Sequence, residues 1–309
     1  MNEPQYREAE GRLWQSVRIQ PDEKMIPLAS TGTRVRVQTI GEGPPVLFIH
    51  GGPNSGSTWA PIIETFDGFQ CLLVDRPGTG LSDPYREIPT PEKFNDLSDG
   101  FVRDVLDGLG LKRSHVVASS LGGFMALRSA ATTPDRIDRM VQMACPAMAP
   151  GMLVPQFMRL TSIKAFRRFT GLFPPSPKIN DSIMRQIGHG KSLDAGRIPQ
   201  EFMDWYLGLQ RHTDTMEHDG SLIGMAASFR GGFDPKLTLT DRTLSLITTP
   251  TLFLWGEDDG FGGREVANAV VGPMPNASLE MVDDAGHLPW LDYPTEIGSR
   301  TRAFLGMEA

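Results

Sequence analysis

The chain has 309 residues, with 30 lysines and arginines against 37 aspartates and glutamates, giving a formal net charge of −7. That acidic balance disfavours a nucleic-acid backbone as the main partner, since phosphate binding wants clustered Lys and Arg, and 39% hydrophobic residues exclude a disordered chain. The 33 glycines and 25 prolines exceed the usual combined share of about 12%; both residues break helices, so a helical bundle is disfavoured and tight loops around a sheet are expected.

Along the chain, the first twenty residues mix Glu3, Arg7, Glu8, Glu10 and Arg12 with few apolar side chains and lack the apolar stretch of a secretory signal. No apolar run approaches the ~20 residues that span a bilayer, and a cytoplasmic protein is expected. The segment before Gln20 reads as a dimer arm or a disordered extension. Short apolar runs follow at residues 35–40, 46–49, 71–74, 115–118, 140–144, 251–255 and 279–282. Runs of this length, apolar nearly throughout, suit parallel strands covered on both faces. Cys71 and Cys145 fall in or beside such runs and read as two buried thiols rather than a disulfide or a metal site. Between the strands, residues 94–109 place Leu97, Phe101, Val105 and Leu109 on one helical face, with Thr90 and Pro91 as cap and first helical residue. Pro294 opens a final packing helix.

The alternation lapses from about Ala147 to Thr240, where Met148, Met152, Phe157, Met158, Phe166, Phe169 and Phe173 are irregularly spaced and prolines interrupt. The domain expectation is an N-terminal extension over 1–30, an α/β core over 31–146 and 241–309, and a helical cap over 147–240. The Met and Phe run either lines an apolar pocket or forms the cap's own core. His189, His212 and His218 read as solvated cap residues without a zinc spacing. Arg159, Lys164, Arg167 and Arg168 read as a solvated basic face.

Four loops carry chemistry. The run Ala118-Ser-Ser-Leu-Gly-Gly sits between a strand and a helix, the setting of a nucleophile elbow. Residues two before and two after the nucleophile must be small. For Ser120 these are Ala118 and Gly122, whereas Ser119 would set Val117 and Leu121 there. Ser120 is therefore the candidate nucleophile. The strand ending in His50-Gly-Gly-Pro53 supplies a second loop. Pro53 has no N–H, so Gly52, with Leu121 after the elbow serine, is the candidate oxyanion donor pair. His50 reads as a loop-fixing residue. Trp255-Gly-Glu-Asp-Asp259 is a strand followed by carboxylates, and Asp283-Asp-Ala-Gly-His287 a strand followed by an imidazole. A serine nucleophile needs both, one to take its proton and one to hold the ring.

These loops, in the chain order serine, aspartate, histidine, resemble the α/β-hydrolase superfamily from about Thr33 to Phe304. The resemblance implies a mostly parallel, eight-stranded core with an inserted helical cap, and it implies Ser120 as nucleophile, His287 as base and Asp259 as the orienting acid. Asp259 is preferred to Asp258 because the acid in relatives falls three residues after the Gly of the W-G turn, here Gly256. In relatives the loop from Asp75 to Ser82 supports the site, so Asp75 and Arg76 are structural. A serine at the elbow disfavours the haloalkane dehalogenases and epoxide hydrolases, which use aspartate there; prolyl aminopeptidases share the His-Gly-Gly-Pro start but not this elbow. The expected function is hydrolysis of a small, largely apolar carboxylic ester through an acyl-serine, with no cofactor and no metal. C–C bond hydrolysis of a meta-cleavage-type diketone by the same residues is the alternative, and a ligand-sensing protein of the same fold a further one.

Overall fold

The computed structural model describes residues 1–170 and 174–306; Phe173 lies outside the described residues. Eight strands form one sheet: β1 (Asp22–Pro27), β2 (Arg34–Ile40), β3 (Pro45–Ile49), β4 (Gln70–Val74), β5 (Ser114–Ser119), β6 (Ile137–Met143), β7 (Thr251–Gly256) and β8 (Ala277–Val282). Their spatial order is β1-β2-β4-β3-β5-β6-β7-β8. Only the β1–β2 and β2–β4 pairings are antiparallel; from β4 to β8 every pairing is parallel. The interior strands β3 and β7 are buried almost end to end because helices cover both faces, whereas the edge strand β8 alternates. Strand β1 carries almost no buried side chain, so periodicity gives no sign of it; it exists by pairing with β2, and its charges blunt the sheet edge.

Helix Pro91–Leu109 starts at Thr90, whose hydroxyl accepts from the Lys93 N–H, and stops at Gly110 with φ +73°. Gly110 takes the left-handed conformation that ends a helix cheaply. Between β6 and β7 the chain is helical, including Pro177–Met184, Gln200–His212 and Thr215–Ala226, with an isolated bridge between Ala227 and Phe233.

The N-terminal segment is neither an arm nor disordered. Residues Glu3–Ser16 form a helix that buries Tyr6, Ala9, Leu13 and Trp14 against helix Gln200–His212, where a Cβ on Gly208 would lie 2.7 Å from Ala9 Cβ. The same helix delivers Glu10 to a buried arginine: both Glu10 oxygens accept from Arg36, at 2.7 and 2.8 Å, and Arg36 Nε donates to Asp75 at 2.8 Å. Asp75 in turn accepts from the backbone N–H groups of Gly56 and Leu81, so one network ties the N-terminus to the loops after β3 and β4.

The cap histidines also differ from the solvated reading. His189 is fully buried and His218 is 6% exposed, while only His212 is half-buried at a helix end. Of the basic group, Arg159, Lys164 and Arg168 are exposed, while Arg167 is half-buried; Arg159 also donates to the Val154 carbonyl and Arg167 to those of Thr161 and Ser162. Trp290 packs behind the site, tilted against Trp59 with ring centroids 4.3 Å apart, its indole N–H on the Thr58 carbonyl. Among the described residues no helix is long and apolar enough to cross a membrane, and both cysteines are free and buried.

Candidate active site

Strand β5 ends at Ser119 and a helix begins at Ser120. Ser120 has φ +52°, a left-handed conformation that costs a non-glycine residue about 1–3 kcal/mol and clusters at functional sites. The turn is tight enough to dictate its neighbours. A Cβ on Gly122 would lie 2.2 Å from the Ile49 carbonyl oxygen, and one on Gly51 would lie 2.7 Å from Ser120 Cβ. The end of β3 thus crosses directly beside the elbow, with Ala118 fully buried on the other side. Ser120 lines a cavity; Ser119, one residue earlier, is fully buried.

His287, on the loop after β8, lines the same cavity. Its Nδ1 faces both oxygens of Asp259, at 2.9 and 3.0 Å. This partner sets the tautomer, placing the proton on Nδ1 and leaving Nε2 as the ring's acceptor. Asp259 is 6% exposed and is itself fixed by the N–H groups of Cys145 and Phe261, at 3.0 and 2.9 Å. Its neighbour Asp258 is exposed and pairs with Lys191 at 2.9 Å. The Phe261 ring lies 4.3 Å from the imidazole. The structure therefore brings Ser120, His287, Gly52 and Leu121 to one cavity, with Asp259 directly behind the imidazole.

Gly52 follows the end of β3 in a loop held from behind. His50 is fully buried; its Nε2 accepts from the Arg76 backbone N–H at 3.1 Å, and its Nδ1 meets the Gly51 carbonyl at 2.6 Å. Burial, and then the Arg76 charge, push its pKa well below the ordinary histidine value, so the ring is neutral. Arg76 also donates to the His50 and Gly51 carbonyls, each at 3.0 Å.

Most of the rest of the wall is apolar, with Asn54 and Tyr206 as polar members. Met148, Met152, Phe157 and Met158 line the cavity, while Phe166 and Phe169 do not; Phe169 is 60% exposed. Asp219, from helix Thr215–Ala226, also faces the cavity, but it is paired with Arg76 at 2.7 Å. None of the described residues lining the cavity is a lysine or an arginine. Sequence reasoning missed Asp219, His189 and Asp292, all beside the site. Asp292 has a local signal, five residues after His287, but the other two depend on contacts across about a hundred residues or more of chain.

A family model described as alpha/beta hydrolase fold matches residues 44–294. The chain is similar to the 2-hydroxy-6-oxononadienedioate/2-hydroxy-6-oxononatrienedioate hydrolase of Cupriavidus pinatubonensis, 26% identical over 89% of this chain and 92% of the relative. It is 29% identical to the protein of the same name from Burkholderia vietnamiensis, over 85% of this chain and 88% of that one. Two solved structures share the fold. Carboxylesterase CesB from Bacillus subtilis superposes with a TM-score of 0.74 at 21% identity, covering 98% of each chain. The 2-hydroxy-6-oxo-6-phenylhexa-2,4-dienoate hydrolase from Rhodococcus sp. strain RHA1 gives 0.76 at 18% identity, covering 93% of this chain and 99% of that one.

Proposed function

The chain belongs to the α/β-hydrolase fold family, and from that premise we propose that it is a serine hydrolase of small, largely apolar carboxylic esters. One observation carries the reading. A serine in the strained elbow conformation and an imidazole backed by a buried carboxylate open into a cavity that is otherwise mostly apolar and that, among the described residues, carries no lysine or arginine.

In the proposed reaction, Ser120 Oγ attacks the ester carbonyl carbon while His287 Nε2 takes its proton. The carbonyl oxygen gains charge between the N–H groups of Gly52 and Leu121, the latter at a helix N-terminus that favours negative charge. The tetrahedral intermediate collapses, the C–O bond to the alcohol breaks, and His287 returns the proton to the leaving oxygen. Water, deprotonated by His287, then attacks the acyl-Ser120 carbonyl; the acid leaves and Ser120 recovers its proton. Asp259 holds the tautomer and stabilises the imidazolium in both halves.

The relatives named for dioate hydrolysis favour a second reading, C–C bond cleavage of a diketone by the same residues. A dioate carries two carboxylates, and burying an anion without a paired cation is strongly unfavourable. The cavity's charged wall residue is a carboxylate already neutralised by Arg76, which favours the ester reading.

A fluorophosphonate with intact-mass detection, followed by a substrate series, tests both. One adduct on the parent and none on Ser120→Ala is expected, with aryl esters of apolar acids turned over faster than dienoate diketones. Faster loss of the dienoate would select the second reading. Failure of the parent to label would remove the serine-nucleophile reading altogether.

A further inference from the structure

The loops carrying Asp259 and His287 meet directly, through the Asp258 N–H on the Ala285 carbonyl at 3.0 Å and the His287–Asp259 pair, and a short piece of the helical segment between β6 and β7 packs against both. The His287 N–H donates to the Ile187 carbonyl at 2.9 Å. The next backbone N–H, of Leu288, donates to His189 Nε2 at 3.0 Å. The preceding one, of Gly286, donates to Asp292 Oδ2 at 2.9 Å, and Asp292 Oδ1 lies 3.0 Å from His189 Nδ1 and also accepts from Ser192 Oγ. Gly188, between the two gripping residues, has φ +101°, and a Cβ there would lie 2.1 Å from the Asp258 carbonyl oxygen and 2.8 Å from Gly286 Cα. Three consecutive backbone N–H groups, at 286, 287 and 288, are thus held by Asp292, Ile187 and His189.

The role of His189 is specific to its chemistry. Asp292 demands a donor and the Leu288 N–H demands an acceptor, on opposite sides of one buried side chain. A neutral imidazole offers both at fixed spacing, with its proton on Nδ1 toward the carboxylate. Had His189 been a packing residue of its own helical segment, its bonds would end there; instead they end on Leu288, beside His287, and on Asp292, which in turn holds Gly286 on the other side of His287.

We propose that His189, together with Asp292, is a positioning residue for His287. It holds the backbone on which the imidazole sits, so that the ring stays against Asp259 in the cavity that Ser120 also lines. Ile187, which grips the His287 N–H, also lines the cavity. The seating of this helical segment over the substrate and the placement of the base are therefore one structural event. The inference rests on the reading of His287 as the base.

His189→Leu removes both bonds at similar volume, and His189→Gln keeps an amide able to accept from Leu288 N–H. On a small aryl ester, His189→Leu should lose between about tenfold and 10²-fold in kcat, the scale of a slightly misplaced catalytic group, with KM nearly unchanged. His189→Gln should recover most of that loss. The low-field proton NMR signal of His287 Nδ1–H should shift or broaden in His189→Leu, and this signal also serves in Asp292→Asn if the leucine variant does not fold. A folded His189→Leu with parental kcat, or equal losses in the two His189 variants, would overturn the inference. So would an unmoved signal in whichever of His189→Leu and Asp292→Asn is folded. His287→Ala, measured alongside, separates the failures: if it is inactive, a normal His189→Leu overturns only the positioning role. If His287→Ala is fully active, the base reading falls and this inference falls with it.

Discussion

Arg76 and Asp219 meet at 2.7 Å with both side chains about 2% exposed, joining the loop after β4 to helix Thr215–Ala226. Burial pushes the Asp219 carboxyl up, but Arg76 and then His218 outweigh it and hold its pKa below the ordinary value. The same guanidinium straps the His50 and Gly51 carbonyls, and a Cβ on Gly52 would sit 2.6 Å from Asp219 Oδ2. The ion pair therefore backs the loop that carries the proposed oxyanion donor.

Breaking this pair from one side should be severe. Asp219→Asn leaves a buried guanidinium without its counter-charge, and Arg76→Met leaves a buried carboxylate; each should lose about 3–5 kcal/mol in urea unfolding. Arg76→Met with Asp219→Leu, which removes both charges, should be more stable than either single variant. A double variant no better than the worse single one would show that the pair's charges are not what the fold depends on.

The elbow's spacing predicts a graded response to added methyl groups. In Gly122→Ala the new Cβ meets backbone of β3, at 2.2 Å from Ile49 O and 2.5 Å from His50 O, and neither can step aside. In Gly123→Ala it meets the Gln142 Oε1 at 2.5 Å, the far end of a side chain. Gly122→Ala should lose about 1–3 kcal/mol and nearly all esterase activity, while Gly123→Ala keeps most of its activity. Equal activity in both would contradict the close crossing.

That elbow was legible because its constraint is local: a strand, a serine and small residues at fixed offsets. The three other site loops were legible for the same reason, each being a strand end followed by its functional residue. What the sequence hid depends on distant partners. Glu10 reads as one charge among many in a polar stretch, yet Tyr6, Ala9, Glu10, Leu13 and Trp14 fall at helical spacing and are all buried. Counting Glu10 as polar conceals the stripe, because its partner Arg36 lies 26 residues away on β2. His189 is equally opaque, since Asp292, 103 residues later, makes it a buried residue.

Glu10 gives a direct check of that stripe. Glu10→Ala leaves Arg36, 1% exposed, with Asp75 and the half-exposed Glu23, and should lose about 3–5 kcal/mol by urea unfolding. Glu8→Ala breaks only the exposed Glu8–Arg12 pair and should change stability by about 0.5 kcal/mol or less. Comparable losses would mean that burial does not distinguish the two carboxylates.

Both thiols should be silent in the native protein. Burial pushes Cys71 up to about 12, and burial with the nearby Asp259 raises Cys145 well above the ordinary thiol value. Only a thiolate attacks a disulfide reagent, so a chromogenic disulfide should release no thiolate dye at neutral pH until urea unfolds the chain. Two equivalents should then react. A fast native equivalent would place one cysteine at the surface.

His50 predicts how stability depends on pH. Burial, then Arg76, depress its folded pKa well below the ordinary histidine value, while in the unfolded chain it titrates near about 6.5. Below that pH the unfolded state binds a proton that the folded state refuses, because Nε2 already accepts from the Arg76 N–H. The contribution is therefore fully present above the unfolded pKa and is lost as pH falls, at a slope approaching ~1.4 kcal/mol per pH unit. His115 is shifted in the same direction, chiefly by its partial burial, so the parent's own pH curve mixes two residues. Comparison with His50→Gln isolates one. The variant should be less stable than the parent at about pH 7.5, and the gap should narrow by roughly 1 kcal/mol or more by about pH 5.5, above most of the carboxylate range. A gap that stays constant across that window would mean the ring takes up its proton as readily folded as unfolded, and the loop beneath Gly52 would then have to accommodate an imidazolium beside Arg76.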